Sequence, residues 1–87
     1  MYKVLFKKPV LKFLSQHKWQ KIVSELYKNI EELRKNPFNE RLNVIKLQWY
    51  EYRYRLRIWK FRFLYRISEN TITLTFYDAG SRGDIYK

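Results

Sequence analysis

The chain contains no cysteine, a single histidine, His17, only two glycines and two prolines, and eight acidic residues against nineteen basic ones. Without cysteine there is neither a disulfide framework nor a thiolate metal site, so a reducing, intracellular setting is expected. One histidine excludes a nuclease that uses a histidine pair as acid and base. No apolar run reaches the roughly 20 residues of a membrane span, and the first residues lack the apolar core of a signal peptide, which together predict a soluble protein with no membrane partner. Few glycines and prolines argue against a low-complexity or linker-rich chain. The carboxylates Glu51, Asp78 and Asp84 have no spacing that builds a cation cage, and the sequence holds neither an H-x-x-x-H pair nor a glycine-rich phosphate loop. Neither a metal nor a small-molecule cofactor is therefore expected.

What is present is a hydrophobic, aromatic and strongly basic chain of 87 residues: 46% hydrophobic, 20% aromatic, with a formal charge of +11. That length suits one domain over residues 1–87, with enough apolar material for a packed core. The charge calls for a polyanionic partner, nucleic acid or an acidic protein segment ahead of a membrane surface. Which cation carries it changes along the chain. Eight lysines and two arginines precede Lys46, whereas six arginines and three lysines occupy the remainder. Lysine on a helix is ordinary solubilising decoration, but the planar guanidinium binds phosphate oxygens in pairs. The second half is the expected working half.

Periodicity organises the chain as β-α-α-β-β-β-β. Residues 2–6, YKVLF, are β-prone, and Pro9 suits the first turn of a helix through Val10, Leu11 and Leu14. Over residues 19–35, Ile22, Val23, Leu26, Tyr27, Ile30 and Leu33 recur at helical spacing, and Asn36-Pro37 ends that helix. After the loop NPFNERLN come four candidate strands, VIKLQ, YEYRYRLRI, FRFLYRI and TITLTFY. The predicted class is α+β: a small mixed, mainly antiparallel sheet with two N-terminal helices packed on one face. Trp19, Trp49 and Trp59 are expected in the core or as lids over it, and His17 at the surface or as a helix-terminal cation.

The stretch YRYRLRIWKFRFLYRI, residues 52–67, sets five arginines among aromatic and aliphatic residues. A short turn at Trp59-Lys60, or equally a four-residue loop of the same register since Trp-Lys is poor two-residue turn chemistry, pairs Ile58 with Phe61, Leu56 with Phe63 and Tyr54 with Tyr65 on one apolar face. The other face then sets Arg57 against Arg62, Arg53 against Arg66, and Arg55 against Leu64. Continuing the sheet past residues 68–71 adds Ile72, Leu74 and Phe76 to the apolar side and Thr73, Thr75 and Tyr77 to the arginine side. The same register puts Tyr77 opposite Arg62. From there DAGSRGDIY is expected to leave the sheet, with Gly80 and Gly83 allowing Arg82 to swing back toward the pair. A solvated outer face alternates in the same manner. Arginines placed directly across a ladder nevertheless repel, and an anion is expected to relieve them. Guanidiniums, lysine and tyrosine hydroxyls suit metal-free RNA cleavage, in which the adjacent 2′-hydroxyl is the nucleophile and the protein aligns and neutralises the phosphate.

These segments resemble the RelE/ParE toxin superfamily, and within it the RelE branch of ribosome-dependent mRNA endonucleases. The likeness spans the leading strand, the helices ending in NP, the VIKL strand, the hairpin YRLRIWKFRFLYRI and the closing GSRGDIYK. The resemblance implies a toxin that cleaves mRNA in the ribosomal decoding site and is held in check by a cognate antitoxin. It implies that Arg62 holds the phosphate, that Arg82 stabilises the transition state, and that Tyr86 stacks on the substrate or helps proton transfer. Arg55, with Arg53, matches a basic pair before the turn that is often lysine, and Arg57 aligns within the motif. The candidate catalytic residues are thus Arg62, Arg82, Tyr86 and Arg55, and the candidate RNA-binding residues are Arg53, Arg57, Lys60 and Arg66. Arginine at 53 and 55 disfavours a general base there, since guanidinium does not deprotonate in proteins. Lys60 stands where the turn usually has glycine. ParE-like gyrase inhibition and non-catalytic RNA binding are the alternative readings.

Overall fold

A computed structural model describes residues 1–39 and 41–81. The chain enters as strand β1 (Lys3–Phe6) and passes through Lys7, whose carbonyl accepts from Val10 and Leu11, into helix α1 (Lys8–Gln16). Pro9 lies in the first turn, where its missing N–H costs nothing. His17 caps the other end: its ring stacks on Phe13 at 3.9 Å and its Nδ1 lies 2.9 Å from the Phe13 carbonyl. Helix α2 (Lys21–Lys35) buries Ile22, Leu26, Ile30 and Leu33 on one stripe. It stops at Asn36, whose side-chain oxygen accepts from the Phe38 N–H at 3.1 Å. The remaining strands are β2 (Val44–Lys46), β3 (Arg53–Ile58), β4 (Phe61–Ser68) and β5 (Thr73–Ser81).

Among the described residues these five strands form one sheet in the order β1-β5-β4-β3-β2. β1 runs parallel to β5 and the other neighbours are antiparallel, so the sheet is mixed and mainly antiparallel. Both helices cover one face. Val10, Phe13, Ile22, Leu26, Ile30 and Leu33 meet Leu56, Ile58, Phe61, Phe63, Tyr65, Ile67, Leu74 and Phe76 in one continuous core. Phe13 stands edge-on to Phe61 and Phe63, with ring centroids 5.3 and 5.1 Å away. Burying each such side chain contributes about 1.5–3 kcal/mol. Tyr65 is fully buried between Tyr54 and Phe76, and its hydroxyl donates to the Pro37 carbonyl at 3.1 Å, tying the loop after α2 to the middle of the sheet. No helix among the described residues is long and apolar enough to cross a membrane.

The β3–β4 hairpin has the pairing its alternation predicts, from Ile58↔Phe61 to Arg53↔Arg66, closed by the two-residue turn Trp59-Lys60. Trp59 adopts φ 56°, the left-handed region that usually belongs to glycine or asparagine. Several expectations need correction. Helix α2 begins at Lys21, because Trp19 sits at φ 71° between the helices. None of the tryptophans is in the core: Trp19 and Trp49 are 91% and 95% exposed and Trp59 55%, since all three occupy turns with positive φ. Ile72 also lies in a turn, at φ 50°, and is exposed instead of joining the apolar face. The β4–β5 turn occupies residues 69–72, so Ser68 pairs with Thr73 and the register lies two residues from the expected one; a bulge between Leu64 and Tyr65 leaves Tyr77 outside the pairing and adds a third, so Gly80, not Tyr77, lies opposite Arg62. β5 then continues to Ser81 instead of leaving the sheet after Tyr77.

Candidate nucleic-acid interface

Strand alternation alone places the site. With Leu56, Ile58, Phe61, Phe63, Tyr65 and Ile67 turned to the helices, the intervening Arg53, Arg55, Arg57, Arg62 and Arg66 share the opposite face. Three rows cross it. At the turn end Arg57 faces Arg62 and then Gly80; in the middle Ile45, Arg55, Leu64 and Asp78 line up; at the far end Arg53 faces Arg66 and then Thr75. The hairpin thus gathers six of the predicted site residues, the five arginines and Lys60 in the turn. Arg82 and Tyr86 lie outside the described residues.

The arginines differ in setting. Arg62 is only 7% exposed, with Nη1 3.5 Å from the Lys60 carbonyl, whereas Arg57 is exposed and its Nε donates to the Trp59 carbonyl at 3.2 Å. Both thereby lean on the turn's own backbone. Because Gly80 carries no side chain, the β5 residue beside Arg62 leaves the row clear at that point. Arg66 is exposed at the opposite end, and Arg55 is half-buried beside Leu64. The ammonium of Lys60 lies 5.3 Å from the centre of the Phe61 ring. The ion pairs Lys28–Glu25 and Arg34–Glu31 belong to α2, on the helix side of the sheet.

Arg53 is held differently again. Its guanidinium lies 4.8 Å from the Tyr50 ring centre and 5.2 Å from that of Tyr77, a cation in contact with two aromatic rings. Burial pushes the Tyr77 phenol above its ordinary pKa, opposed by the charge of Arg53 and a side-chain hydrogen bond to it. The phenol stays protonated at neutral pH. These two rings belong to a cleft of about 640 Å³ on the outer face, where Trp49 joins them around Leu64 and Asp78. Nothing in the alternation of β3 and β4 reveals it. The available signal was the aromatic cluster WYEY at residues 49–52, together with a hydrophobic Leu64 in the arginine register.

A basic face of this kind can bind a polyanion along two strands and concentrate positive potential where phosphate charge develops. Over residues 4–86 the sequence matches the family model for the ParE toxin of the type II toxin–antitoxin system parDE. No curated protein matches it significantly. Among solved structures, it is similar to the RelB–RelE antitoxin–toxin complex from Methanococcus jannaschii, with 26% identity, 94% of each chain covered and a TM-score of 0.76. The archaeal RelE–RelB complex from Pyrococcus horikoshii OT3 gives 24% identity, 95% of this chain and 97% of that one, and a TM-score of 0.78. The isolated RelE toxin of E. coli gives 21% identity, 99% and 92% coverage, and a TM-score of 0.76.

Proposed function

This chain belongs to the ParE toxin family of type II toxin–antitoxin systems, within the RelE/ParE superfamily, and from that premise we propose that it is an endoribonuclease that cleaves mRNA in the ribosomal decoding site. The observation that supports this most is the set of arginines on one sheet face, above all the Arg57–Arg62 pair facing across the ladder. Two guanidiniums in register concentrate positive charge at one place on the face and suit an anion bound across them. A phosphodiester is such an anion, and its charge grows as it reacts.

In the proposed reaction the ribose 2′-oxygen attacks the adjacent phosphorus. A 2′-O–P bond forms, the P–O5′ bond breaks, and the products are a 2′,3′-cyclic phosphate and a 5′-hydroxyl. The proton leaves the 2′-hydroxyl and one is delivered to the departing 5′-oxygen. Guanidinium stays protonated, so Arg62, Arg55 and Arg82 act by charge and hydrogen bonding, and Tyr86 is the candidate for handling a proton. Arg53, Arg57, Lys60 and Arg66 bind the backbone on either side. The ribosome supplies much of the alignment, which places the activity in the cytoplasm. The partner in the resting cell is a cognate antitoxin, a reading supported by the RelB–RelE complexes among the structural relatives.

Adding the purified protein to ribosomes programmed with a defined mRNA and mapping the new 5′ ends tests this reading: discrete ends within the decoding site are expected. A second reading, inhibition of DNA gyrase, is favoured by the ParE description of the matching family model. A supercoiling assay separates the two. Gyrase inhibition together with uncut mRNA would replace the ribonuclease reading.

A further inference from the structure

The cleft lined by Trp49, Tyr50, Arg53, Leu64, Tyr77 and Asp78 is a feature of the outer face that phosphate binding does not explain. Its volume of about 640 Å³ falls in the roughly 300–1,000 Å³ range usual for small-ligand pockets. Its floor is Leu64, an apolar residue buried in the middle row between Arg55 and Asp78. Its walls include aromatic rings: Tyr50 and Tyr77 each lie against the Arg53 guanidinium, while the indole of Trp49 is almost wholly exposed. Planar groups that leave a face open bind single-stranded bases by stacking, on aromatic rings and on guanidinium planes alike.

We propose that this cleft seats one base of single-stranded RNA, beside the phosphate held along the arginine rows, and that Asp78 makes it prefer a base carrying an exocyclic amino group. The proposal rests on the RNA reading above and extends it from the backbone to the base. Charge complementarity connects the two: Arg53 belongs both to the cleft and to the row it shares with Arg66, so a strand lying along the arginines brings a base to the cleft mouth. Asp78 is the carboxylate in the lining, half-buried, with Oδ1 accepting from the Ala79 N–H at 2.9 Å. A carboxylate offers about four lone-pair sites, so this one bond leaves it capacity to accept from a further donor. Cytosine offers an N4 amino donor that uracil replaces with a carbonyl acceptor.

The test uses the full chain carrying Trp19→Phe and Trp59→Phe, so that Trp49 is the reporter indole. It is titrated with uncleavable 2′-O-methyl hexamers of oligo(C) and oligo(U), reading indole emission and, with end-labelled oligomers, anisotropy. Both oligomers are expected to quench Trp49, and oligo(C) to bind at least about fivefold tighter. Asp78→Asn keeps an acceptor for the Ala79 N–H and is expected to bring the two affinities within about twofold of each other. Binding seen by anisotropy with unchanged Trp49 emission would overturn the cleft and leave the RNA reading standing. A cytosine preference unaltered in Asp78→Asn would overturn the role of Asp78. No binding of either oligomer would overturn the cleft and count against the RNA reading as well.

Discussion

Strands β3 and β4 build two unlike surfaces from alternate residues of the same short segments. Toward the helices, Leu56, Phe63 and Tyr65 are fully buried and interlock with residues of α1 and α2. Away from them, Arg57 faces Arg62 and Arg53 faces Arg66, an arrangement that opposes sheet formation. The inner surface supplies the packed core, while the outer one gathers the cations. Stability and function are therefore separable by residue parity, and substitutions one position apart test whether the division is real.

The largest effect belongs to the inner face. Phe63→Ala empties the space against which Phe13 packs and is expected to cost about 3–5 kcal/mol in urea unfolding. Tyr65→Phe keeps the ring but removes its hydrogen bond to the Pro37 carbonyl, a loss of about 0.5–1.5 kcal/mol. The same residue gives a pH signature. Burial raises the Tyr65 phenol pKa above its ordinary value of 10.0, so the folded state holds this proton where the unfolded chain releases it. Its contribution is fully present below pH 10 and is lost as pH rises above that value, and Tyr65→Phe should flatten the alkaline decline.

Smaller effects are expected at the turn and on the outer face. Trp59→Gly relieves a left-handed backbone position at φ 56° and is expected to raise stability by about 0.5–1 kcal/mol, read as a higher urea midpoint. Arg57→Thr should change stability least, within about 0.5 kcal/mol and toward a gain, because it removes one member of a like-charged pair from an exposed position. A large loss there would mean that the two faces are not independent.

The hairpin was legible because its alternation is strict: every pair from Ile58↔Phe61 to Arg53↔Arg66 follows from one turn placement. On the β4–β5 ladder only the faces of Leu74, Phe76, Thr73 and Thr75 were legible: the turn occupies residues 69–72, which moves every partner two residues from the expected register, and the bulge at Tyr77, which no residue pattern in TFYDAGS marks, adds a third. The tryptophans misled for a related reason. Their tendency to be buried is overridden by backbone positions at turns, where positive φ sends the chain and the indole outward. The cleft was hidden because it is assembled by residues 45–50 against the outer face, a long-range arrangement that neither periodicity nor spacing encodes.

The most direct measurement is single-turnover cleavage of mRNA on programmed ribosomes by the wild-type protein, Arg62→Ala and Arg62→Lys, with urea midpoints taken in parallel. If Arg62 stabilises the reacting phosphate, Arg62→Ala should lower the rate about 10²–10³-fold while still unfolding cooperatively in urea, with Arg62→Lys falling between. Wild-type cleavage that persists undiminished in a folded Arg62→Ala protein would contradict the account.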